Sequence, residues 1–281
     1  MSWTQRLLLV DRRIIFLLVF LGALIPILAP IGLAVRVSPP VKSIFDKVEG
    51  LKAGDTIMLS FDYGPSDGPE LDPMANSILR HCRKKGVRVL GLSLFPLGGV
   101  DMAIARFSQL SLETGAQNGI DYVNLGYKDG GQAAMKLLGE SLAAVFPSDT
   151  NGRPVGEIPA AQGVRNYNDV ELVISLATSV LGEWWINLVN AQFGVDVAVG
   201  STAVSAPKYY AYMEAGQAIG VMGGMKGASE YEELVAEHYP DLGSLSRTAT
   251  VGMDVQSIVH VIIILFILFG NVLYIMTRRM R

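Results

Sequence analysis

The sequence predicts an α/β fold: a Rossmann-like, mostly parallel open sheet with helices on both faces. Three observations lead there. Five strand-like apolar runs alternate with helical stretches through the centre of the chain, and that alternation marks parallel sheets. Clusters of Gly, Pro, Asp and Ser close the runs, as turns require. Two long apolar stretches frame this centre and contain no Asp, Glu, Lys or Arg, residues 14–35 and 257–276.

Taken in order, Ser38-Pro39-Pro40 reads as a stiff extended linker leaving the first apolar stretch. Thr56 to Phe61 reads as a buried strand, closed by the turn cluster Asp62-Tyr63-Gly64-Pro65-Ser66-Asp67-Gly68-Pro69. A helix follows over about 70–85, with Leu71, Met74, Ile78 and Leu79 on one face, and Gly86 stops it. The second strand is Val87 to Leu94, closed at Phe95 to Gly99, with a helix over about 100–115. A short strand at Asp121 to Val123 precedes a helix over about 131–146 and a polar loop over 147–164. Glu171 to Leu176 and Asp196 to Gly200 complete the strands, separated by a helix over 182–191. The last segment before the C-terminal apolar stretch, about 209–238, reads as one long helix carrying Gly216, Gly220, Gly224 and Ala228 at four-residue spacing. On a helix that spacing strips one face bare, for close packing within the domain or for contact with a second chain.

Half of the 281 residues are hydrophobic and 17% are charged, which excludes global disorder. The two framing stretches are 22 and 20 residues long, the length that crosses a hydrocarbon core of about 30 Å. Arg6, Arg12 and Arg13 precede the first, and Arg278, Arg279 and Arg281 follow the second, so both ends are expected inside. The expected organisation is a cytoplasmic N-terminus at 1–13, a transmembrane helix at 14–35, an extracytoplasmic domain at 36–254, a second transmembrane helix at 257–276 and a cytoplasmic C-terminus at 277–281. Setting aside the ends leaves 16 basic and 25 acidic residues in the exported part, a net charge of about −9 that repels nucleic acid. Within the second stretch, His260 and Asn271 lie eleven residues apart, about 20° past three helical turns. They share a face, expected to meet the first span or another subunit. The single cysteine, Cys82, excludes an internal disulfide and reads as a structural thiol on a helix.

Ligands of open parallel sheets sit beyond the carboxyl ends of the strands. The candidate ligand-binding residues are therefore Asp62, Tyr63 and Ser66 after the first strand, Gly98 and Gly99 after the second, Asn124, Tyr127 and Lys128 after the third, Thr178 and Ser179 after the fourth, and Thr202 after the fifth. The acidic cluster Asp62, Asp67, Glu70 and Asp72 could supply hard oxygen ligands to Mg²⁺ or Ca²⁺. The simpler account is that these groups satisfy free amides and the helix dipole at a turn. No metal or cofactor is assigned. Gly91-Leu92-Ser93-Leu94-Phe95 is half of a nucleophile elbow, with Phe in place of the second glycine. Neither phosphate-binding glycine fingerprint follows the first strand.

Phe61-Asp62-Tyr63-Gly64-Pro65 with Glu70-Leu71-Asp72-Pro73-Met74, the run Asp121 to Lys128, and Gly216 to Gly220 with Gly227 to Glu232 together resemble an uncharacterised family of bacterial membrane-anchored proteins. The resemblance implies a bacterial inner membrane setting with an exported Rossmann-like domain, and no reaction. The function expected is a non-enzymatic binding or scaffold protein in a membrane assembly. Its expected partners are the bilayer, other membrane proteins and possible further copies of itself, not nucleic acid. A metal-assisted hydrolase using the acidic loop, or an accessory subunit of a transporter, is the alternative.

Overall fold

The computed structural model describes residues 11–33 and 35–279. Arg6, Ala34 and Arg281, on which parts of the membrane reading rest, lie outside them. The chain forms two compact units, one of residues 35–249 and the other of the segments before and after it.

The larger unit is built on six parallel strands: β1 (Thr56–Asp62), β2 (Arg88–Ser93), β3 (Tyr122–Tyr127), β4 (Leu172–Ala177), β5 (Val197–Ser201) and β6 (Gly220–Gly223). Their order is β3-β2-β1-β4-β5-β6. The chain therefore runs outward in one direction from β1 and in the other from β4, as in doubly wound sheets. The strands read as continuous apolar runs because both faces are covered. Ile57, Leu59, Phe61, Ile174 and Leu176 pack against α2 (Pro39–Gly50), α3 (Gly68–Lys85), α4 (Gly99–Thr114) and α10 (Gly224–His238). The alternate residues Met58, Leu90, Val123, Val173 and Val197 pack on the other face. There they meet α5 (Gln132–Leu138), α6 (Leu142–Val145), α9 (Pro207–Glu214) and a composite helix. That helix is α7 (Leu181–Trp184), a π-helical turn (Trp185–Asn190) and α8 (Ala191–Phe193).

Three readings are corrected here. Ser38-Pro39-Pro40 is no extended linker: the prolines occupy the first turn of α2, where a missing N–H is harmless, and α2 buries Val41, Ile44, Phe45 and Val48. The glycines at 216, 220 and 224 do not line one helix. Gly216 (φ +73°) turns the chain after α9, Gly220 opens the unanticipated strand β6, and Gly224 (φ +60°) starts α10, which holds Ala228. A Cβ at Gly220 would collide with the carbonyl of Pro40 and with Ile44, so this glycine admits the unit's own α2, not another chain. The helix expected at 131–146 is split into α5 and α6, and 3₁₀ turns occupy part of the polar loop, at Val155–Glu157 and Pro159–Ala161.

Buried carboxylates on α10 hold the ends of this unit. Glu230, 1% exposed, accepts hydrogen bonds from the N–H (2.9 Å) and hydroxyl of Ser38, at the start of α2. Glu232 accepts from the N–H of Ala249 (3.1 Å) in the first turn of α12 (Thr248–Arg279). Both place negative charge at the positive end of a helix. The short helix α11 (Pro240–Gly243) links α10 to this region.

In the smaller unit, α1 (Arg12–Leu28) is capped by Asp11, whose carboxylate accepts from the N–H of Arg13 (2.9 Å). It has 17 residues, and the span expected at 14–35 is cut short. Pro30 drives Ala29 out of helical geometry (φ −139°, ψ 86°), and the chain leaves the helix. The successive N–H groups of Ile31, Gly32 and Leu33 then donate to the buried carboxylate of Asp254 at 2.8 to 3.0 Å. Gly32 needs its positive φ (+67°) to complete this concave nest of amides. Gly22 of α1 lies close against Ile262 of α12. Thr248–Met276 within α12 is long and apolar enough to cross a membrane, and it is the one such helix among the described residues.

Candidate functional site

The switch point of the sheet lies between β1 and β4, and it brings the first candidate residue, Asp62, to the carboxyl edge beside Ala177. Asp62 is fully buried. Its carboxylate accepts hydrogen bonds from Ser60 Oγ (2.6 Å), Leu94 N (2.8 Å) and Trp185 Nε1 (2.8 Å). Burial pushes its pKa up, against these three opposing bonds. Trp185, the first residue of the π-helical turn, is buried against this face of the sheet. This carboxylate is sealed and does not face a ligand.

The loop and helix after β1 lie as straps across the adjacent strand ends. Thr178 Oγ1 donates to Asp67 (3.2 Å), and Ala203 N donates to Glu70 (2.8 Å), joining β1's connection to the loops after β4 and β5. Gly99 closes the other side: a Cβ there would strike Ser93 Oγ and the carbonyl of Phe61. Gly98 (φ +99°) makes the turn into α4 that this approach requires. At the switch point the chain's own loops are thus tied to one another across the strand ends.

Of the remaining candidates, Ser66 is exposed, and Thr178, Ser179 and Thr202 are half-buried on the neighbouring loops after β1, β4 and β5. Asn124 and Tyr127 lie in β3 and Lys128 follows it, two strands away from β1, and they do not join them. Asn124 Oδ1 accepts from Gly126 N (3.0 Å) while its buried Nδ2 has no partner, and exposed Tyr127 donates to Asp129 (3.3 Å). The four acidic residues each take a different partner, and among the described residues no three His, Cys, Asp or Glu side chains converge to hold a metal ion.

Tyr63 points to the opposite face and is buried. Burial holds its pKa well above the ordinary value, so the neutral phenol donates to Asp72 Oδ1 (2.8 Å). That bond starts a polar network between α3 and α4 that sequence reasoning missed. Arg106 Nε lies 3.7 Å from Asp72 Oδ1, and Arg106 Nη1 donates to Gln109 Oε1 (2.9 Å). Gln109 Nε2 donates to Glu113 (2.8 Å), Glu113 receives the paired Nε and Nη2 of Arg80 (2.8 and 2.7 Å), and Arg80 Nη1 ends on the carbonyl of Ser246 (2.9 Å). Beside it opens a groove of about 340 Å³, with Asp72, Asn76, Arg106, Gln109 and Thr248 as its polar lining and Pro65, Pro69 and Pro73 among its walls. The local spacing of Asn76 and Arg106 reads as ordinary helix surface, so no sequence signal marked this site.

A second buried cluster is self-contained. His81 accepts from Tyr231 Oη (2.9 Å) at Nδ1 and donates from Nε2 to Glu49 (2.9 Å), which also accepts from Tyr239 (2.8 Å). Burial pulls His81 down to about 4, against Glu49, which fixes this neutral tautomer at pH 7. Glu49 itself is held at about 2, because bonds from His81, Tyr239 and Lys85 outweigh its burial. Cys82, fully buried, is pushed up to about 12 and stays a thiol. No family model matches the chain, and neither the curated proteins nor the solved structures contain a match to it.

Proposed function

We propose that this is a membrane-anchored, non-enzymatic binding or scaffold protein whose Rossmann-like domain is displayed outside the cytoplasm. The observation that supports this reading is the fully paired Asp62 at the switch point. Where doubly wound enzymes hold a cofactor or substrate, this chain places a sealed carboxylate and two straps. Asp62 is fully committed to hydroxyl, N–H and indole donors, which takes the central carboxylate of the acidic loop out of the hydrolase alternative.

The anchor in this proposal is α12, aided by α1 in a hairpin that the Asp254 nest ties together within the smaller unit. The basic residues Arg12, Arg13 and Arg278 support a reading with both ends inside, at a bacterial inner membrane. His260 and Asn271 are both exposed in the single chain, which favours their shared face as a contact with another subunit or a membrane partner.

The test uses the full chain in native membranes. Photo-crosslinkers at Ser66 and Thr202 should give discrete protein adducts, whereas one at Leu112, 89% exposed near the end of α4, should not. Equal labelling at all three positions would overturn the reading. A reporter active only in the cytoplasm should work when fused after residue 281 and be silent at Asn151; the reverse pattern removes the topology.

A further inference from the structure

The groove between α3 and α4 holds hydrogen-bonding capacity that the chain does not use. Asn76 is 7% exposed and lines the groove, yet its amide bonds no described residue. A primary amide offers two donors and an acceptor oxygen, and those of Asn76 open only onto the groove. One turn away, Asp72 gives Oδ1 to Tyr63 and leaves Oδ2 free. Arg106 spends Nη1 on Gln109 and lies beyond hydrogen-bond distance of Asp72, leaving Nη2 free. Its guanidinium is held in place, because Gln109 is fixed by Glu113 and Glu113 by Arg80.

The lining thus carries one negative and one positive charge, 3.7 Å apart, beside an unpaired buried amide. A simple anion would be repelled by Asp72 and a simple cation by Arg106. A ligand bearing both signs offsets both. The space of about 340 Å³ is at the small end for ligand pockets, which run from about 300 Å³ upward. Rigid proline rings give it an apolar wall.

We propose that the groove binds a small zwitterion of the α-amino-acid class. Arg106 Nη2 and the Asn76 amide donate to its carboxylate, and its ammonium donates to Asp72 Oδ2. This names a ligand beyond the binding role proposed above and uses only residues of the larger unit, so it stands or fails apart from the membrane topology.

The experiment is calorimetric titration of the purified full chain in detergent with the common α-amino acids. The best binder is then compared with its N-acetylated and decarboxylated counterparts. Saturable one-site binding is expected, with both counterparts at least tenfold weaker. Asn76→Ala should weaken binding at least tenfold while melting stays unchanged or rises, since it removes an unpaired amide from a helix. Asp72→Asn should abolish the preference for the free amine over the N-acetyl form. The proposal is overturned if no amino acid binds, if the counterparts bind equally well, or if Asn76→Ala lowers melting and leaves binding intact.

Discussion

The switch point and the α3–α4 groove are both polar, and both lie on connections leaving β1. They differ in how that polarity is used. At the switch point both oxygens of the fully buried Asp62 are taken, by three donors, while Asp67 and Glu70 at its rim each engage one oxygen. In the groove Asn76 is nearly as buried but has no partner, and Asp72 and Arg106 each keep an atom unused. Paired buried groups act through stability, because removing one strands the others. An unpaired group beside open space contributes little to the fold and is available to a ligand. In this protein the central carboxylate at the place that topology nominates for a ligand is fully paired, and the buried amide without a partner lies to its side.

The largest expected effect breaks the paired site. Asp62→Ala strands Trp185 Nε1, Leu94 N and Ser60 Oγ at once and should cost about 3 to 5 kcal/mol in chemical denaturation. A loss below about 1 kcal/mol would show that the carboxylate is not needed by the fold.

The Glu49-His81-Tyr231 cluster tests the rule for fully paired groups elsewhere. His81 has its pKa lowered from 6.5 to about 4, so as pH falls the unfolded chain takes up the proton first. The stability it confers is complete above pH 6.5 and is lost toward pH 4, by up to about 3 kcal/mol at 1.36 kcal/mol per unit. His81→Gln should flatten the melting profile across that range; an unchanged slope would assign the acid sensitivity to other groups.

A smaller effect is expected from Trp185→Phe, which keeps the ring packing and deletes one of the three donors to Asp62. It should cost about 1 to 2 kcal/mol, read by the same denaturation. The smallest belongs to the groove. Asn76→Ala should change stability by no more than about 0.5 kcal/mol, and a loss as large as that of Trp185→Phe would erase the contrast between the two regions.

Most of the fold was legible in the sequence. The runs at 56–61, 87–94, 171–176 and 196–200 contain mainly β-branched and large apolar residues and became β1, β2, β4 and β5, and Gly86 ends α3 in the left-handed conformation expected of it. The third run, expected at 121–123, became β3 at Tyr122–Tyr127, one residue later at its start and four longer at its end. Chain-local patterns report such elements because a strand or helix face is set by neighbours two to four residues away. The glycines at 216, 220 and 224 show where this ends. A four-residue period means one face only if the segment is a helix, and β6, four residues long with glycine at both ends, gives almost no strand signal.

The apolar length of 257–276 sufficed to mark a membrane-compatible helix, since length and hydropathy are properties of the segment alone. At the other end Pro30 cut the helix that composition alone would extend to residue 35. The candidate site was legible as a set of loops and not as chemistry. Asp62 meets Trp185 across 123 positions, and Arg80 meets Ser246 across 166. No local period encodes such meetings. The sequence by itself determined the alternating elements, the parallel sheet they imply and the apolar helix that follows. Only the tertiary structure decided which polar groups found partners and which stayed free, because pairing depends on the distance between atoms that the chain brings together from far apart.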